Sequence, residues 1–130
     1  NRVAGACHAG WRGAVARIAA DTVATMADCG ADPDRIVAHV GPCISRGAFE
    51  VGPEVAAEFD AAFVHRQDDW PRPHVDLKAA LRHQLTEAGV PGDSIEVSDR
   101  GTVQETDDFF SHRAAGGTTG RMFGAVVLRN

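Results

Sequence analysis

Much of what this 130-residue chain could have been is excluded by what it lacks. No apolar run is long enough to span a bilayer, so a transmembrane helix is not expected. No basic n-region stands ahead of a short apolar stretch, so the opening does not read as a secretory signal. The three cysteines, Cys7, Cys29 and Cys43, are odd in number and at no framework spacing. That argues against a disulfide scaffold and for a reducing, cytoplasmic setting. Basic residues are few and scattered under a formal net charge of −5, so no nucleic-acid-binding face is indicated. No HxH, CxxC or HExxH spacing occurs, and there is no internal repeat or low-complexity tract. A self-contained zinc motif and a solenoid are thereby set aside.

What is present suits one globular domain, 1–130, expected as a monomer. At 44% hydrophobic, a chain of this length can bury a core without covalent staples. Asn1 stands first in place of Met, and "NRVAGA" reads as the middle of a strand, so sequence upstream of Asn1 is expected. "RVAGAC" predicts a strand of small residues that a neighbour can approach closely. A helix follows, with Val15, Ile18, Thr22 and Met26 on one face and Gly30 as its left-handed cap. "DRIVAHV" predicts a strand covered on both faces, which places His39 in the core or an interface. Pro53 predicts a helix start, with Val55, Phe59 and Ala62 buried. Residues 64–74 read as a surface loop bordered by solvated His65 and His74. Asp76 caps a helix with Leu77, Leu81 and Leu85 inward, His83 on its polar side and Gly89 at its end. "SIEVS" and "MFGAVVL" read as strands flanking a glycine-rich loop. The order predicts an α/β (α+β) fold, a mixed sheet with flanking helices.

Chemistry concentrates in "ACHAGWRGAV", residues 6–15. Neighbours on a strand face opposite ways, which separates Cys7 from His8 and makes Cys7 a small buried residue. His8 is a candidate metal ligand, although a single histidine needs partners that no local spacing supplies. For Arg12 two readings stay open. Beside a helix N-terminus it would favour an anion such as phosphate; alternatively it pairs with a surface carboxylate while Trp11 plugs a sheet edge. His112, flanked by Ser111 and Arg113, would meet a sugar hydroxyl or phosphate, or serve the loop's structure. Cys43 reads as a free buried thiol, with a Cys43–His8 nucleophile pair as the sharper alternative.

Four stretches occur in a recognisable order: "HAGWRG" (8–13), "GPCISRGAFEVGPEV" (41–55), "VDLKAALRHQLTEAGV" (75–90) and "FFSHR…TGR" (109–121). Together they resemble the laccase-domain or polyphenol-oxidase (YfiH-like) family, whose members are described as purine nucleoside phosphorylases. The likeness runs over essentially the whole chain and implies the family's mixed-sheet fold, with this chain as its C-terminal portion. It implies phosphorolysis of adenosine, inosine, guanosine and methylthioadenosine, with adenosine deamination as a further activity. It also implies a zinc ion held by two histidines and a cysteine. His8 matches one histidine; the other ligands belong to upstream His-Gly and Ala-Asp-Cys segments absent from these residues, and Cys7 does not match by position. His8 and Arg12 are thereby the catalytic candidates, and Trp11, Phe110, Ser111, Arg113 and Arg121 the substrate-binding ones. Two departures stand out: Gly101-Thr102 where the family has Cys-Thr, and Phe49 where it often has Tyr. The competing expectations are a copper-dependent polyphenol oxidase, which needs clustered His and Cys ligands, and a non-catalytic binding module that keeps the fold.

Overall fold

Gly30 and Gly89 end the two longest helices in the same way, and that fixes where one core forms. The structure, a computed structural model, describes residues 2–129. Helix α1 spans Trp11–Val15 and α2 spans Ile18–Asp28. Strand β1 is Ala38–Val40 and helix α3 is Pro53–Ala56. Strands β2 (Val64–His65) and β3 (His74–Val75) precede helix α4 (Leu77–Glu87) and strand β4 (Ile95–Val97). This is the mixed α/β architecture expected, with small sheets and flanking helices.

Both glycines are left-handed, with φ of +91° at Gly30 and +96° at Gly89. After α2, Gly30 N–H donates to Ala27 O at 2.8 Å and Ala31 N–H to Met26 O at 2.9 Å. After α4, Gly89 N–H donates to Thr86 O and Val90 N–H to Leu85 O, each at 3.0 Å. Each pair closes the helix's last carbonyls and turns the next residue inward. Ala31 and Val90 therefore enter one cluster with Val23, Ile36 and Ile95. Val90 is only 1% exposed. Val90→Ala is expected to cost about 2 kcal/mol, as lost burial plus cavity, read from the urea midpoint at unchanged slope.

The chain forms two compact units. The first comprises Asn1–Gly41, Ala80–Ser98 and Gly124–Asn130; the second comprises Pro42–Ala79 and Asp99–Phe123. In the first, β1 and β4 run parallel, with Ala38 opposite Ile95, His39 opposite Glu96 and Val40 opposite Val97. Val40 and Ile95 are buried. His39 is not in the core: it is exposed, with Nδ1 3.4 Å from Glu96 Oε2. Strict alternation across a two-stranded sheet puts His39 and Glu96 on the open face.

The single long helix expected after "HAGWRG" is two. Arg17 sits left-handed at φ +60°, separating α1 from α2, and its Nη2 donates to Glu87 Oε2 at 2.9 Å. Ala19 and Val23 are the buried residues of α2. The stripe expected to be buried lies one residue off this line, and Thr22 and Met26 meet the segment around Gly5. A Cβ on Gly5 would fall 2.8 Å from Met26 Sδ and 3.2 Å from Thr22 Cγ2. The small residues of "RVAGAC" thus do permit close approach, by a helix. They form no strand, because among the described residues no segment pairs with them. "MFGAVVL" is likewise no strand, and Phe123 is 97% exposed. A strand exists only through its partner's backbone, and alternation of apolar residues cannot supply one.

In the second unit, Pro53 opens α3 as expected, yet the helix is a single turn. Asp60 intervenes, accepting from Ala62 N–H at 2.8 Å to start a tight turn over Ala61–Phe63, and Ala62 is exposed. The ends of the expected 64–74 loop pair instead, Val64 with Val75 and His65 with His74. Residues 49–51 line the other side: Val51 N–H donates to Pro73 O at 2.9 Å and Val75 N–H to Phe49 O at 3.1 Å. Phe49, Val51, Ala56, Val75 and Leu77 are buried. His74 is buried too, correcting its solvated reading. Its Nδ1 donates to Arg46 O at 2.9 Å and its ring stacks on Trp70 at 3.8 Å, so both polar and apolar needs are met. Asp76 caps α4 as expected, accepting from Ala79 N–H at 3.0 Å.

Candidate functional site

His8, Trp11 and Arg12 are carried by the first unit on and beside α1. His8 is exposed, and its Nε2 lies 3.5 Å from where a Cβ on Gly10 would stand, so a bare backbone there leaves room for the imidazole. Arg12 is also exposed. Its guanidinium lies 4.4 Å from the centre of the half-buried Trp11 ring, and among the described residues it forms no ion pair. A planar cation seated on an indole face keeps its outward N–H groups for an anion. The carboxylate pairing weighed for Arg12 is therefore not what holds it. The helix behind it is five residues long and Gly10 gives no side-chain cap. Arg12 itself, rather than a helix pole, is the positive charge here. Cys7 is exposed, against the expectation of a buried residue, because residues 2–9 lack the sheet that would have covered it.

The other candidates belong to the second unit. Ser111 is buried; its Oγ accepts from Ala114 N–H at 3.2 Å, which leaves the hydroxyl proton to donate. Arg113 donates from Nη1 to Glu50 O at 3.0 Å, and its guanidinium stands 5.7 Å from the Phe49 ring centre. Phe49 thus supports Arg113 with its ring, which a phenylalanine does as well as a tyrosine. His112 and Arg121 are exposed. Phe110 is half-exposed and lies directly over Gly120, where a Cβ would come within 2.6 Å of the ring. Gly120→Ala is expected to displace the Phe110 ring, and a change in that ring's proton chemical shifts checks it.

A Cβ on Gly101 would meet Gln104 Oε1, the end of a side chain whose Nε2 donates to Ser45 Oγ at 2.9 Å. Gly101 N–H donates to Glu105 Oε1 at 2.9 Å. The Arg100 guanidinium and this N–H hold the Glu105 carboxyl below the usual carboxylate range. Arg100 also pairs with Asp108 and covers the Phe109 ring at 4.5 Å. Cys43, bridged to Gly101, is a half-buried free thiol; burial pushes its pKa up, against Lys78, which pulls it down. That protonated thiol is a poor nucleophile.

His8 has the right chemistry for a metal ligand, but a zinc site takes three or four protein donors. Among the described residues no three of His, Cys, Asp and Glu gather to hold a metal. The donor set present does not by itself fit a metal centre. Sequence reasoning missed Gln84, a polar residue on the apolar face of α4. Its Nε2 donates to Ala14 O at 2.6 Å, tying α4 to α1 across 70 residues. The legible signal was a glutamine in register with Leu77, Leu81 and Leu85.

Known proteins extend this picture. The chain is 45% identical to a purine nucleoside phosphorylase of Deinococcus radiodurans, over 97% of its own length and 49% of the relative's. It is 41% identical to adenosine deaminase RL5 of an unknown prokaryotic organism, over 94% of its length and 49% of that protein. Thus the chain spans about half the length of the curated relatives it matches. The crystal structure of YlmD from Geobacillus stearothermophilus superposes with a TM-score of 0.76 at 35% identity, covering 88% of this chain and 45% of that one. A hypothetical protein YfiH of Bacillus licheniformis gives a TM-score of 0.77 at 31% identity, covering 85% and 44%. A family model, the multi-copper polyphenol oxidoreductase laccase, matches residues 1–129, and the chain belongs to that family.

Proposed function

We propose that this chain is part of a purine nucleoside phosphorylase, using inorganic phosphate on adenosine, inosine, guanosine or methylthioadenosine, with adenosine deamination as a side activity. The observation that carries this reading is the 45% identity to a protein named for that activity, over nearly the whole chain. The geometry supports it: an arginine with no ion pair among the described residues sits on Trp11, four positions after His8 in the sequence.

In phosphorolysis a phosphate oxygen forms a bond to the anomeric carbon. The bond from that carbon to the purine nitrogen breaks, and its electron pair leaves with the base, which takes up a proton. Arg12 neutralises and aims the phosphate, because oriented N–H donors act where charge moves. Trp11 offers a face to the purine beside Arg12. In the second unit, Arg113, fixed by Glu50 O over Phe49, and Arg121 are further anion-binding candidates, while Phe110 offers an aromatic face and Ser111 a hydroxyl. His8 would supply one donor of a zinc site, which needs at least two more protein ligands. A copper oxidase would likewise need metal donors beyond those that the described residues gather. Three free cysteines fit a reducing, cytoplasmic setting. No helix among the described residues is long and apolar enough to cross a membrane.

The protein carrying this chain, given inosine and phosphate, is expected to release hypoxanthine and ribose 1-phosphate in equal amounts. Base release that proceeds equally without phosphate overturns the reading, as does the absence of any base release.

A further inference from the structure

Helix α1 has almost nothing local to hold it. It is five residues long, Gly10 provides no side-chain cap, and it ends against Arg17 in a left-handed conformation that a non-glycine residue adopts at a cost. Besides its packing on α2, two hydrogen bonds reach this turn from α4. Gln84 Nε2 donates to Ala14 O at 2.6 Å, and one turn on Glu87 Oε2 takes Arg17 Nη2 at 2.9 Å. Gln84 is buried, yet its Oε1 has no hydrogen-bond partner among the described residues. A leucine or methionine would fill this face of α4 without burying an unpaired carbonyl. The glutamine therefore costs stability, and what it secures is the placement of one carbonyl of α1. Ala14 lies two residues beyond Arg12 on that single turn.

We infer that Gln84 is a positioning residue for Arg12: its amide fixes the roll of α1, and so the direction in which the guanidinium on Trp11 faces. This rests on the reading of Arg12 as a phosphate-holding group. The role belongs to the N–H donor specifically, since Arg17 N–H already donates to Ala14 O at 3.0 Å and keeps that carbonyl satisfied if Gln84 is lost. Losing Gln84 therefore loosens the turn without unfolding it.

The test uses the protein carrying this chain with Gln84→Met, which keeps the volume and removes the donor, and Gln84→Asn, which keeps the amide but withdraws it by one methylene. Two measurements are made: hydrogen exchange of the Ala14 and Ala16 amides, which bond Gly10 O and Arg12 O, and steady-state kinetics with inosine over a titration of inorganic phosphate. Exchange at Ala14 and Ala16 is expected to quicken roughly tenfold while that of Cys29 at the end of α2 holds. KM for phosphate is expected to rise roughly tenfold with kcat within about twofold. Unchanged exchange in both variants overturns the inference, and so does loosened exchange with an unchanged KM for phosphate. If wild-type base release proves independent of phosphate, the phosphorylase reading fails and with it the phosphate-directing role. Exchange at Ala14 and Ala16 then still decides separately whether Gln84 anchors α1.

Discussion

His8→Ala in the protein carrying this chain is expected to lower phosphate-dependent base release by about 100-fold or more, with the fold intact. The magnitude follows from the proposed role: changes that only reorient a metal ligand already cost 10–100-fold, and removing a ligand costs at least as much. The intact fold follows from the structure. His8 is exposed and its ring lies against bare Gly10, so truncation opens no buried cavity. Its effect on stability is expected to stay within about 0.5 kcal/mol. Metal content measured on the same samples separates the possibilities. Loss of bound zinc together with activity supports His8 as a donor. Full activity with zinc retained sinks that assignment. Activity lost while zinc stays at the wild-type level also counts against it, pointing to a role for His8 on the substrate instead.

Arg12→Ala is expected to act differently, through phosphate. Arg12 is exposed and stacked on Trp11, so its removal costs stability only the worth of a surface cation–π contact, about 0.5–1 kcal/mol. Against a dianion in the site it is worth far more, since charge-assisted donors aimed at developing charge carry about 3 kcal/mol, a hundredfold in kcat/KM. The loss is expected to be visible at low phosphate and only partly relieved by saturating phosphate. Arg12→Lys keeps the charge but loses the planar fork and the stack, and is expected to recover a minor part. If Arg12→Ala and Arg12→Lys leave the phosphate dependence at its wild-type value, Arg12 has no part in holding that anion. Arg113 and Arg121 then become the groups to substitute next.

The helix ends of this fold were legible because they depend on residues a few positions apart. Gly30 and Gly89 close helices whose final carbonyls are within five residues of them, and Asp76 reaches an amide three residues on. The strand at 95–97 and the leucine face of α4 followed from periodicity. The candidate site was legible as residue types in a motif, "HAGWRG", and in the rarer company of "FFSHR…TGR". What each residue would touch was not. His74 is buried because Arg46 O and Trp70 are there to receive it, and His39 is exposed because its sheet has two strands among the described residues. Neither partner is marked in the local pattern.

By itself, then, the sequence determined the chain's family, its α/β layering, the capped ends of α2 and α4, and the short list of candidate groups whose binding roles are proposed. Only the tertiary structure decided that the expected helix breaks at Arg17, that "RVAGAC" and "MFGAVVL" form no strand among the described residues, and that Arg12 rests on Trp11 rather than on a carboxylate. It alone revealed that Gln84 reaches Ala14. The dividing line is range. A cap or a stripe is an interaction of a residue with its own neighbours in sequence, so the sequence states it. A ladder, a stacked cation or a buried amide needs a partner tens of residues away, and whether that partner arrives is settled by packing.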